Sequence, residues 1–173
     1  MNTDRSGLPE TGDRPAVPAD PAGHVVFAAL SAGPIGLPEA LLAVESPQCG
    51  AVVGFSGVVR DHDGGRTVSA LSYSAHPSAE QVFGAVLARV AQEFPGTRLW
   101  AQHRVGELQI GDPALVCAVA AAHRGLAFAA CSALVDRIKA EVPIWKEQFF
   151  ADGGAEWVGA GSAADSVPPE PSQ

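Results

Sequence analysis

A chain of 173 residues, 47% hydrophobic and 17% charged, is long enough to bury a core of its own and reads as one soluble globular domain. Its net charge of −8 excludes broad binding to nucleic acid or to an anionic membrane, so any anion site must be a local cluster of cations. No apolar run reaches the roughly 18 residues needed to span a bilayer. The three scattered cysteines, with no CxxC pair, indicate neither a zinc site nor a disulfide framework.

Residues 1–22 are rich in Pro, Gly, Asp and Thr without periodicity and read as a disordered leader. They contain no basic start followed by an apolar stretch, so no signal peptide is expected and a cytoplasmic location follows by default. Residues 160–173 read as a similar tail, leaving 23–159 as the folded part. Within it His24 to Leu30 is an apolar strand and Leu37 to Val44 a short helix with Pro38 in its first turn. Gly50 to Arg60 is β-rich, its glycines pointing to a bend or a close backbone approach. The run DHDGGR at 61–66 is a polar turn or flexible loop, and Val68 to Ser74 a strand.

Pro77 to Phe94 has the clearest helical period, through Val82, Ala85, Val86, Arg89, Val90 and Phe94, and Pro95-Gly96 stops it. Arg98 to Val105 and Ala114 to Ala121 are strands, Gly125 to Ala140 a second long helix, and Trp157-Val158 a last edge strand. This order predicts an α+β or α/β sandwich, helices against a mixed sheet.

Of eleven basic residues only two are lysines, Lys139 and Lys146. In a chain that otherwise uses arginine for charge, lysine matters because it can lose its proton and act as a nucleophile or base. On an unbroken helix the pair would share a face about 10 Å apart. Pro143 breaks that helix, placing Lys139 in the last turn and Lys146 in the chain just beyond. His123-Arg124 follow an apolar strand and open a helix, where unpaired N–H groups and the helix dipole favour an anion. Arg60 ends a strand at the mouth of the DHDGGR loop and is a further candidate, to converge with Arg124 and the lysines on one pocket. Cys49 and Cys131 are candidate sulfur-carrying thiols, and His103-Arg104 a structural pair within a strand.

Three stretches read together resemble a known family: GAVVGFSGVVRDHDGGRTVSALSYSAHP, HRVGELQIGDPALVCAVAAAHRGLAFAACSALVDRIKAEVPIWKEQF and EWV. Their FxGxVRxH, HRxGxLxxGD, AHRxxAF and KxxxPxWK elements are specific in combination and resemble the large (catalytic) subunit of molybdopterin synthase from about Val25 to Val158. The resemblance implies an α+β, α/β hammerhead-like fold with an additional antiparallel β subdomain. It implies sulfur transfer to cyclic pyranopterin monophosphate, making molybdopterin. The sulfur would come from the C-terminal Gly-Gly thiocarboxylate of a small ubiquitin-like partner, in a heterotetramer built on a dimer of large subunits. No metal or cofactor of the subunit's own is implied.

On the same resemblance, Val58, Val59 and Arg60 line the pterin pocket, and His123 and Arg124 bind the substrate. Lys139 stands nearest the incoming thiocarboxylate, and Lys146 is the second active-site lysine. Glu147 and Gln148 border the pocket, in the order KEQ where KRE is typical. Two other readings stay open: a scaffold that binds a small ubiquitin-like protein or phosphorylated ligand without chemistry, and a persulfide sulfurtransferase using Cys49 or Cys131.

Overall fold

The computed structural model describes residues 23–159; the leader expected over 1–22 and the tail expected over 160–173 lie outside the described residues. The elements in chain order are β1 (His24–Ser31), α1 (Leu37–Val44), β2 (Ala51–Val58), β3 (His62–Asp63), β4 (Arg66–Ala75) and α2 (Ala79–Glu93). There follow β5 (Thr97–Arg104), β6 (Gly106–Leu108), β7 (Pro113–Ala121), α3 (Arg124–Glu141), β8 (Ile144–Phe150) and β9 (Ala155–Gly159).

One sheet has the strand order β1-β5-β7-β2, with β1 parallel to β5 and the other pairs antiparallel. Both faces are covered. Leu115, Cys117 and Val119 of β7 point into a core shared with Phe83, Leu87 and Val90 of α2 and Leu134 and Ile138 of α3. The alternate residues Val116, Ala118 and Ala120 point to the other face, where Trp100 and α1 close over them. A strand buried on both sides needs no polar alternation, which is why 114–121 is an unbroken apolar run. The second sheet, β3-β4-β8-β9 with β6 also on β4, is antiparallel throughout. The architecture is therefore α+β with an added antiparallel β subdomain, as expected.

Two local expectations change, and a third, the turn or loop at DHDGGR, is narrowed to the turn. Lys146 does not lie in irregular chain after α3: Ile144–Phe150 is a strand, paired with β4 on one side and β9 on the other. Its Lys-Glu-Gln centre hides the strand, whose partner β4 is some 70 residues earlier and supplies the ladder. The DHDGGR segment is a tight hairpin, with Gly64 and Gly65 at φ of 55° and 80° between β3 and β4, the geometry of a two-residue turn. In α2 the buried stripe is Ala79, Phe83, Val86, Leu87, Val90 and Ala91, while Ala85 and Arg89 lie off it. Arg89 pairs with Glu141, and Arg137 with Glu93, tying α2 to α3.

The glycines around β2 do mark close approaches. A Cβ on Gly50 would lie 2.8 Å from the carbonyl oxygen of Ala122, whereas one on Gly54 would meet Leu37 Cδ1 at 2.7 Å and Leu41 Cδ2 at 2.9 Å. Leucine methyls can swing aside more readily than a backbone carbonyl held between β7 and α3. Gly50→Ala should lower the unfolding free energy by about 1–3 kcal/mol, and Gly54→Ala by less, as read from urea denaturation; the reverse ranking would contradict this packing.

Candidate active site

Two cavities meet where the sheets and the end of α3 come together, and both lysines line both of them. The first, of about 390 Å³, is bordered by Val58, Val59, Arg60, Asp63 and Gln148 beside the lysines. The second, of about 330 Å³, is walled by Ile138, Val142, Ile144 and Val158, with Tyr73 and His103.

Each side chain is placed by its element. Val59 is buried and clamped, its N–H donating to the Asp112 carbonyl at 3.0 Å and its carbonyl accepting from Gly111 N–H at 2.8 Å, so the chain leaves β2 on a fixed path that presents Arg60. Lys139 lies in the last turn of α3, where the carbonyl end of the helix favours a cation, and its Nζ is 5.8 Å from the centre of the Phe55 ring. On β8, Lys146 lies opposite Tyr73 and Gln148 opposite Leu71, so these four side chains share a face. Glu147, opposite Ser72, belongs to the other face and does not line the cavity, contrary to its expected place at the pocket edge.

His123 and Arg124 are also apart from the lysines. His123 is the N-cap of α3 and Arg124 its first residue, both exposed, whereas Lys139 is at the opposite end. Fifteen residues of helix are about 22 Å, so within one chain Arg124 does not converge with Arg60 and the lysines.

The site has features that sequence reasoning missed. Asp63 stands among the cations, its Oδ2 accepting from Lys146 Nζ at 3.2 Å and from Gln148 Nε2 at 2.8 Å. The hydrogen bond from Gln148 and then that from Lys146 hold its carboxyl below the usual carboxylate range. An Asp-Gly-Gly turn signal in 63–65 could have announced the hairpin, though not its target. Tyr73, the chain's one tyrosine, is pushed up by burial. His103, expected to be structural, is buried at the end of β5, its ring edge-on to Tyr73 and its Nδ1 donating to the Arg104 carbonyl at 2.7 Å.

Burial, with a smaller contribution from the Lys139 charge, lowers the His103 pKa from 6.5. The neutral ring is thus favoured by folding. That contribution is complete above about pH 6.5 and is lost as the pH falls below it, because the unfolded chain then binds the proton first. His103→Gln should flatten the fall in thermal unfolding temperature between about pH 6.5 and 5; an unchanged slope would assign it to other groups.

The thiols fit the persulfide reading poorly. Cys117 and Cys131 are both buried, and burial pushes the Cys131 thiol up to about 11 and Cys117 well above the ordinary range. Such groups remain protonated and unreactive at neutral pH. Cys49 borders a separate hollow with Glu45, Ser46, Pro47 and Val52. Among the described residues no group of three or more His, Cys, Asp or Glu is arranged to hold a metal ion, and no helix is long and apolar enough to cross a membrane.

Fold and site together define an α+β protein with a two-chambered cationic pocket at the junction of its sheets. Comparison with known proteins narrows the class. The MoaE protein family matches residues 30–141. Molybdopterin synthase catalytic subunit 1 of Mycobacterium tuberculosis is 41% identical over 138 residues, 79% of this chain and 93% of that one. The X-ray crystal structure of molybdopterin synthase from Staphylococcus aureus aligns with a TM-score of 0.70 at 35% identity, over 75% of this chain and 95% of that one. A chain from the protein–protein complex of subunits 1 and 2 of molybdopterin-converting factor from Helicobacter pylori shares the fold, with a TM-score of 0.57 at 20% identity over 83% and 94% of the two chains. The chain belongs to the MoaE family, whose members include molybdopterin synthase catalytic subunits.

Proposed function

We propose that this chain is the sulfur-transferring subunit of a molybdopterin synthase, converting cyclic pyranopterin monophosphate to molybdopterin with sulfur from the C-terminal thiocarboxylate of a small ubiquitin-like subunit. The observation that carries the reading is the meeting of two chemically different cavities at the same two lysines. The chamber with Arg60, Gln148 and Lys146 suits a polar pterin bearing a phosphate. The chamber walled by Ile138, Val142, Ile144 and Val158 suits an extended peptide tail, and a Gly-Gly end can pass close to such walls because glycine has no Cβ.

In this scheme Lys139, between the chambers, meets the thiocarboxylate, and Lys146 serves as the acid–base group when the pterin C–O bonds break. In the same proposal the subunit uses no cofactor of its own. Partnership with a small subunit agrees with the Helicobacter pylori fold relative, which is described as a complex of two subunits. Self-association into a dimer at the centre of a heterotetramer accounts for His123 and Arg124. Each such pair, exposed at the far end of α3, would reach the pocket of the neighbouring copy. A cytoplasmic site of action belongs to the same proposal.

The test is to mix the protein with thiocarboxylated small subunit and cyclic pyranopterin monophosphate and to look for molybdopterin. Product formation is expected. Binding of the small subunit without product would make the chain a scaffold instead, and loss of turnover in a folded Cys49→Ser variant would restore a persulfide route.

A further inference from the structure

Asp63 is the carboxylate turned into the cationic chamber. Its Oδ2 takes hydrogen bonds from both Lys146 and Gln148, and its Oδ1 lies 3.7 Å from Arg60. Gln148 is only 3% exposed, so removing its acceptor would strand a buried N–H, a costly state. The Gly64-Gly65 turn fixes the register of β3 on β4, with Asp63 opposite Arg66, and so fixes where the carboxylate arrives. The hairpin's other acid, Asp61, is already engaged by His62 Nδ1 at 2.6 Å.

We propose that Asp63 is a positioning residue for the reaction, tethering the Lys146 ammonium at one point of the chamber, and that Gln148 is the neutral donor that leaves a single carboxylate for that lysine. This rests on the reading of the pocket as a sulfur-transfer site. A lysine has a flexible four-carbon stem and three rotatable donors, so one anchored hydrogen bond removes much of its freedom. The charge of the tether is stable at neutral pH, because Gln148 and Lys146 hold the Asp63 carboxyl low. Arg60 faces the same carboxylate from just beyond β2, His62 borders the chamber from β3 with its Nδ1 on Asp61, Lys139 borders it from α3, and Tyr73 from β4, its phenol raised by burial and so neutral. A glutamate at 148 would set two carboxylates about one hydrogen-bond length apart, where both cannot stay ionised.

Moving the carboxylate across that hydrogen bond tests the idea. Asp63→Asn and Gln148→Glu are each expected to lower kcat about tenfold, the first by uncharging the tether and the second by forcing a shared proton. The double variant Asp63→Asn/Gln148→Glu restores one carboxylate and one amide, and kcat should return to within about threefold of the parent. A double variant no better than the weaker single one overturns the proposal.

A second readout needs no substrate. With only two lysines, protein labelled with 13C at the lysine ε-carbon gives two signals, and loss of one in Lys146→Arg assigns it. Gln148→Glu should add a titration step to the Lys146 signal above about pH 4 as the carboxylate pair takes up its proton. The parent and the double variant should lack that step, and its absence from Gln148→Glu also overturns the proposal. If the step appears but the parent makes no molybdopterin, the sulfur-transfer reading fails while the pairing stands.

Discussion

Lys139→Ala should lower molybdopterin formation by about 10²–10⁴-fold, the range for removing a side chain that acts on the reacting group. Lys139 stands at a place common to both chambers, where a sulfur donor from one side and a pterin from the other would meet. Its ammonium, 5.8 Å from the Phe55 ring, is held by the end of α3 at that meeting point, so it is already in place to act on a thiocarboxylate arriving there. Lys139→Arg is the sharper variant. It keeps the charge but cannot lose its proton, and its planar head is wider than an ammonium. It should fail almost as badly as alanine, measured as single-turnover product formation with saturating thiocarboxylated partner. Full activity in Lys139→Arg would mean that the residue acts only as a cation.

Mixed dimers should recover activity that neither parent variant has. Lys139→Ala and Arg124→Ala each lack one component, and α3 holds those components about 22 Å apart in one chain. If a working pocket takes Lys139 from one copy and Arg124 from the other, a mixed dimer of the two variants contains one intact pocket and one doubly damaged one. Random exchange at equal concentration makes half the dimers mixed, so about a quarter of the parent number of pockets should return. The measurement is the rate of molybdopterin formation before and after subunit exchange. No recovery, with exchange verified by mass, would mean that His123 and Arg124 do not serve a neighbour's pocket.

How much of the molecule is legible in the chain alone varies with the range of the interactions involved. The long helices, the apolar strand at 114–121 and the break at Pro143 are local or nearly so. Lys139 lies in the last turn of α3 for the reason that Pro143 supplies: no N–H and a ring that crowds the preceding turn. Arg60 and Lys146 are candidates from residue type and motif, and the structure places both beside Lys139. The environment of Lys146 is not legible, because a strand centred on Lys-Glu-Gln is specified by its ladder with β4 rather than by its own composition.

The same difference separates the two ends of α3. Sequence spacing shows that His123-Arg124 open a helix and that Lys139 closes one, and helical rise alone keeps them apart. It does not show which groups fill the space around Lys146. That depends on the pleat of β8, which turns Gln148 in and Glu147 out, and on a two-residue hairpin that brings Asp63 across 83 residues of sequence to accept the hydrogen bond from Lys146. Motif resemblance was enough for the family, and residue chemistry with local stereochemistry for singling out the two lysines. The partner of one lysine was decided by β pairing between distant segments, because side-chain direction in a sheet follows register, and register is a property of two strands rather than one.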